Sequence, residues 1–256
     1  MPFASRATHS ARLHYAERGE RREGAPSVLL VHGAGASSAI WMMAMARIAR
    51  AAHVVAIDLP GHGPSPLPEG GIGALSLDAY VNAVGQLAGT LCLGPSVLVG
   101  HSMGALVAIA AAAKWPEKVR GLVLCAAAPR LPVRNELLAL IRDDHARVPA
   151  WIAEHGLSPR AKPAIRRGFV AAGLVTPPAV TLADFELVRG ADLEERVRSV
   201  TCPQLWLDGA DDAIVGAPGE RPGEVRRLEG VGHLMPIEAP GAVAEGVAAL
   251  VGIARA

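Results

Sequence analysis

Ser102 stands in Val99-Gly100-His101-Ser102-Met103-Gly104-Ala105, a serine boxed between glycines where a short apolar run gives way to an alanine-rich one. Residues 100–104 fit the pattern G-x-S-x-G, in which a serine occupies a sharp, strained strand-to-helix corner. Such a corner needs small residues two places before and two after, because strand and helix approach closely there. The hydroxyl is then exposed above the strand ends, and the N-terminus of the following helix favours negative charge beside it. The competing reading is a helix N-cap serine that has glycines around it. As a nucleophile a neutral hydroxyl is weak, so Ser102 would need a base, and the base an acid to orient it.

Nine histidines compete for the role of base. His233 follows a predicted strand in the glycine-flanked run Gly230-Val231-Gly232-His233, a setting that lets an imidazole project over a sheet edge. His101, beside the serine, is placed to pack or bond locally. Three acids compete for the orienting role: Asp208, the last residue of a predicted strand, and Asp211 and Asp212 in the loop after it. Those that lose would be solvated loop carboxylates capping a turn.

The elements that must hold these residues alternate along the chain. Apolar runs at 27–32, 53–58, 96–100, 121–127, 204–208 and 224–229 predict six strands, and 38–50, 77–91, 103–115 and 240–254 predict helices. Pro116 follows the third of those helices as a stop signal. Strands apolar on both faces, alternating with helices, predict an α/β fold whose mostly parallel sheet is covered on both sides. From Arg130 to about Arg198 the alternation stops: the segments 135–148, 150–156, 163–173 and 182–188 are helical in fragments and punctuated by prolines. That stretch reads as a helical cap, residues 130–198, inserted into a core of 1–129 and 199–256. Trp151, Phe169 and Phe185 in it are candidates to line an apolar pocket, and equally to hold the cap helices together.

With these motifs in order, the chain resembles the α/β-hydrolase superfamily over nearly its whole length. The layout is similar to small bacterial serine esterases with a helical cap after the sixth strand. Val31-His32-Gly33-Ala34-Gly35 resembles the loop that supplies an oxyanion-hole amide, and residues 58–65 (DLPGHGPS) resemble the D-x-x-G-x-G-x-S turn. Gly209-Ala210-Asp211-Asp212 resembles the G-x-x-D of the triad acid, and residues 230–240 the histidine loop. The resemblance implies Ser102 as nucleophile, His233 as base and Asp212 as its orienting acid, in the chain order of that fold. It implies an oxyanion hole from the backbone amides of Met103 and Ala34. The Met103 side chain becomes a candidate for the acyl pocket, against core packing. His32, His62, Asp58, Gly61, Gly63 and Ser65 fall at structural turn positions. One interval departs from the family: between acid and final strand, AIVGAPGERPGEV (213–225) is too rich in Gly and Pro for the usual helix, so the acid loop is reshaped.

Composition narrows the partners. The chain has 256 residues, 51% hydrophobic and 19% charged, enough for a buried core. A formal net charge of +1 gives no electrostatic reason for a nucleic-acid partner. No apolar run is long enough to span a bilayer, and residues 1–20 lack the apolar region of a signal peptide. Cys92, Cys125 and Cys202 lack C-x-x-C spacing, so reduced thiols in a cytoplasmic protein are expected, with no metal and no cofactor. Residues 142–167 carry a modest excess of basic side chains, a solvated face or a guide for an anionic carrier or a carboxylate-bearing chain. The expected activity is cleavage of a small-molecule carboxylic ester with a small to medium apolar acyl group. The same triad serves lactones, thioesters, carrier-bound methyl esters and the C–C bond of ring-cleavage products. A non-catalytic ligand receptor on the same fold is the alternative from another class.

Overall fold

The computed structural model describes residues 13–216, 218 and 221–253. Seven strands form one sheet in the order β1-β3-β2-β4-β5-β6-β7, all neighbours parallel except β1 and β3. They are β1 (Tyr15–Arg18), β2 (Val28–Val31), β3 (Val54–Ile57), β4 (Ser96–His101), β5 (Val119–Cys125), β6 (Gln204–Gly209) and β7 (Glu224–Leu228). The sequence predicts six of these. It misses β1, whose four residues include only one fully buried side chain and which pairs antiparallel with β3.

Period-two alternation sends neighbouring side chains of each strand to opposite faces. Leu29, Val31, Leu98, Leu122, Leu124 and Trp206 join one apolar cluster with α2 (Leu77–Thr90) and α3 (Met103–Lys114). Val28, Leu30, Val97, Val99, Val123 and Leu205 join a second cluster with α1 (Met42–Ile48) and α10 (Pro240–Ile253). Burial on both faces is why these strands read as continuous apolar runs. The helix predicted at 38–50 begins as a 3-10 turn, Ser38–Trp41, before α1. In α2 the Ser76 hydroxyl caps the first turn by accepting from the Ala79 amide at 3.1 Å. Residues 103–112 of α3 are all buried, and alanine at five of those ten positions lets it pack between the sheet, α2 and a later helix, Glu194–Ser199.

Between β5 and β6 stand α4 (Asn135–Asp143), α5 (Val148–Gly156), α6 (Pro163–Ala172), α7 (Pro178–Gly190) and α8 (Glu194–Ser199). Leu137, Ile141, Val148, Ile152, Ala153 and Leu157 of this segment form a small cluster of their own with Leu234. A short α9 (Met235–Glu238) precedes α10.

Candidate active site

Ser102 joins β4 to α3 with φ 53° and ψ −120°, a left-handed conformation that L-residues other than glycine rarely adopt. Its amide donates to the Cys125 carbonyl at 3.0 Å. A Cβ on Gly100 would lie 2.4 Å from the Ala105 Cα, and one on Gly104 would lie 2.2 Å from the Val31 carbonyl oxygen. Backbone occupies both places, so glycine at 100 and 104 is a steric requirement of the corner rather than a composition bias.

His233 lies after β7, its amide donating to the Gly156 carbonyl at 2.6 Å. Its Nδ1–H donates to Asp212 Oδ2 at 3.0 Å, which leaves Nε2 to face other partners. Asp212 Oδ1 accepts from the amides of Ile214 at 2.8 Å and Val215 at 3.0 Å. Burial works against the Asp212 carboxylate, but His233 and the two amides outweigh it and hold its pKa below the ordinary value. Of the three competing acids, the other two are engaged elsewhere. Asp208 takes both guanidinium nitrogens of Arg221, at 2.9 and 2.5 Å, and Asp211 accepts from the Ser158 hydroxyl at 2.6 Å. Among the described residues no helix fills the interval between Asp212 and β7. Instead Arg221, buried over the Trp206 ring and donating to the Ala127 carbonyl, staples that interval to β5 and β6.

His101 Nε2–H donates to the His233 carbonyl at 2.8 Å, while burial and the neighbouring His233 drive its pKa down to about 3. It therefore stays neutral, a tether for the His233 loop. Glu238 adds a second tether, accepting from the amides of Gly232 at 3.2 Å and Ser158 at 2.8 Å.

Ser102, His101, His233, Gly33 and Ala34 share the lining of one cavity of about 330 Å³. Every one of them follows or ends a parallel strand, at the carboxyl edge where sheets of this kind place ligands. The rest of the lining is mainly apolar and largely from the inserted segment, including Leu131, Leu137, Trp151, Ile152, Phe169 and Phe185, with Arg134 the charged exception. Trp151, Phe169 and Phe185 do both things weighed for them, since they also pack against the small helical cluster. Of the two candidate amides, Ala34 belongs to the loop after β2, and Met103 opens α3, where the first-turn N–H groups have no partner inside the helix. The Met103 side chain is fully buried in the core and does not line the cavity, which corrects the pocket role considered for it.

The turn residues behave as fasteners. Asp58 accepts from the Ser38 amide and from His14, and the Ser65 hydroxyl donates to the Asp58 carbonyl at 2.7 Å. His32 donates through Nδ1 to the Gly33 carbonyl at 2.9 Å and accepts the Leu59 amide at Nε2, 3.1 Å away. Burial and the adjacent His62 keep its pKa well below the ordinary value. The sequence motifs assign no individual role to Asp184, Arg221, Glu238 or Arg134. Asp184 carried a signal: with Val180, Thr181 and Val188 it forms the buried stripe of α7, where a carboxylate is out of place unless it is paired. Among the described residues no cluster of three metal-ligating side chains occurs, and no helix is long and apolar enough to cross a membrane.

A family model described as the alpha/beta hydrolase family matches residues 28–246. The 2-(acetamidomethylene)succinate hydrolase of Mesorhizobium japonicum is 32% identical over 208 residues, 75% of this chain and 73% of that protein. A pimeloyl-[acyl-carrier protein] methyl ester esterase of Neisseria meningitidis is 29% identical over 230 residues, 84% and 70% of the two chains. The enol-lactonase of Burkholderia xenovorans LB400 superposes with a TM-score of 0.81 over 98% of this chain and all of that one; at 24% identity it speaks for the fold alone. A matching family model over most of the chain, these relatives and the parallel sheet with its serine corner agree: the chain belongs to the α/β-hydrolase family and is a hydrolase.

Proposed function

We propose that this hydrolase cleaves carboxylic esters of small to medium apolar acyl groups through an acyl-enzyme on Ser102. The observation that carries the reading is the strained Ser102 sharing one apolar cavity with a His233 whose far nitrogen is held by Asp212. His233 Nε2 takes the Ser102 proton as Oγ attacks the ester carbonyl. The amides of Met103 and Ala34 stabilise the oxyanion that forms. On collapse the C–O bond breaks and His233 protonates the leaving alcohol. Water, deprotonated by the same imidazole, then attacks the acyl-enzyme and releases the acid. Asp212 fixes the tautomer that leaves Nε2 free and stabilises the imidazolium. Residues 130–198 act as a cap that shapes the acyl pocket and limits water.

A second reading keeps this chemistry with a substrate whose acyl part is carboxylated or carrier-bound. It is favoured by the two relatives, named for a succinate derivative and for a carrier-bound methyl ester, and by Arg134 in the cavity lining. The test is steady-state hydrolysis of p-nitrophenyl esters of increasing acyl length by the wild type and by Ser102→Ala. Sustained turnover that falls by roughly 10⁶ in the variant supports the nucleophile. Equal inertness of both proteins rejects simple esters and moves the assay to lactones, thioesters and carboxylated esters.

A further inference from the structure

Ala34 offers its amide from a loop that the core and the inserted segment hold between them. The Gly33–Ala34 peptide that carries this amide is fixed from the core side, where His32 Nδ1–H and the Ala36 amide donate to the Gly33 carbonyl at 2.9 and 3.2 Å. The next peptide, through the Gly35 amide, and the Ala36 carbonyl beyond it are fixed by the inserted segment. Asp184 Oδ2, on α7, accepts the Gly35 amide at 2.8 Å, and the Thr176 hydroxyl donates to the Ala36 carbonyl at 3.2 Å. Thr181 of α7 also packs on Gly35, so closely that a Cβ there would be 3.1 Å from its methyl group.

Asp184 is fully buried and ties three parts of the molecule together. Its Oδ2 also accepts His62 Nε2–H at 2.7 Å, and its Oδ1 accepts the Tyr80 hydroxyl at 2.5 Å. His62 Nδ1 meets the Pro60 carbonyl at 3.1 Å, so both ring nitrogens face acceptors and both must donate. Burial opposes that imidazolium, but the Asp184 carboxylate outweighs burial and raises its pKa. Burial, then the same carboxylate, push the Tyr80 pKa up, so its hydroxyl stays a donor. An unpaired buried charge would be costly, and this one is spent on holding a loop amide.

We propose that Asp184 is a positioning residue for the oxyanion hole: by gripping the Gly35 amide from α7, it fixes the peptide that follows Ala34 and so completes the placement of the Ala34 amide when the inserted helices are seated on the core. The proposal rests on the assignment of Ala34 to the hole. It separates ground-state from transition-state binding, since the lining that grips an acyl chain is elsewhere in the cavity.

The experiment compares Asp184→Leu, Asp184→Asn, Tyr80→Phe and Thr176→Val for melting temperature, for kcat and KM on a p-nitrophenyl ester, and for affinity toward a trifluoromethyl ketone of matched chain. That ketone accepts the serine oxygen and leaves an oxyanion in the hole, so its affinity reports the hole without turnover. Asp184→Leu should lose about 10- to 100-fold in kcat and in ketone affinity with KM little changed. Asp184→Asn should restore most of both, because its carbonyl can accept from Gly35 and His62 while its NH₂ donates to the Tyr80 oxygen. Tyr80→Phe should lower the melting temperature and leave kcat alone. Thr176→Val, which frees only the Ala36 carbonyl, should lose severalfold in the same two readouts. A folded Asp184→Leu with wild-type kcat and ketone affinity overturns the proposal. If Asp184→Leu does not fold, unchanged values in Thr176→Val overturn it. A wild type that binds the ketone but hydrolyses no ester rejects the esterase reading while the ketone affinities still decide this one; a wild type that does neither rejects both.

Discussion

Asp212 illustrates what a side chain's neighbours decide that its type does not. Asp208, Asp211 and Asp212 are chemically alike and nearly adjacent, and only distant partners separate them: Arg221 claims the first, Ser158 the second and His233 the third. The resemblance to the family's acid motif singles out Asp212; composition and spacing leave all three open. Asp212→Asn should therefore lower kcat by roughly four powers of ten, with the wrong imidazole tautomer favoured. Asp211→Asn should stay within a few-fold of wild type in the same assay. A large loss in the second with little in the first would reassign the acid. His101 makes a different prediction, about stability. Its folded pKa of about 3 lies below the ordinary 6.5, so between those values the unfolded chain binds a proton that the folded chain refuses. Stability should thus be lost as pH falls from about 6.5 toward the folded value. Urea unfolding between pH 6 and 4 should show a shallower slope in His101→Leu, whatever that substitution costs at neutral pH.

Elements built from local pattern are the legible part of this chain. The corner at Ser102 can be read from five residues because its constraint is local: two backbones meet where a side chain would otherwise stand. Gly104→Ala places a methyl group 2.2 Å from the Val31 carbonyl, with backbone rather than a flexible side chain in the way. It should cost about 3 kcal/mol or more, whereas an alanine at Gly89, within α2 and with open space around it, should be neutral or slightly stabilising. Chemical denaturation of the two variants checks this. Elements held by long-range pairing are less legible. β1 is four residues of mixed polarity and becomes a strand because β3 offers it a ladder. The interval 213–225 carries no helical pattern, and its staple, Arg221, is identifiable only once Asp208 and Trp206 are known to lie beneath it. Asp184 sits between these cases, visible as an acid in an apolar stripe but with partners 104, 122 and 149 positions away.

The whole molecule divides its stability unevenly. Two large clusters clamp the sheet, whereas the inserted helices share a smaller one, and α6 has no fully buried residue. Local opening should follow burial, so amide hydrogen exchange is expected to be fastest along α6 and slowest in α3 and the central strands β2, β4 and β5. Uniform protection across α6 and α3 would contradict that division. The sheet also has a border. β7 is its outermost strand on one side, and three of its five residues, Glu224, Arg226 and Arg227, are charged, with Arg226 reaching Glu224 at 2.7 Å. An exposed strand rim is a template on which another chain can add a strand, and a rim carrying charge of both signs makes that addition unfavourable. The same five residues that complete the sheet therefore guard it against growing, which favours colloidal stability at high concentration.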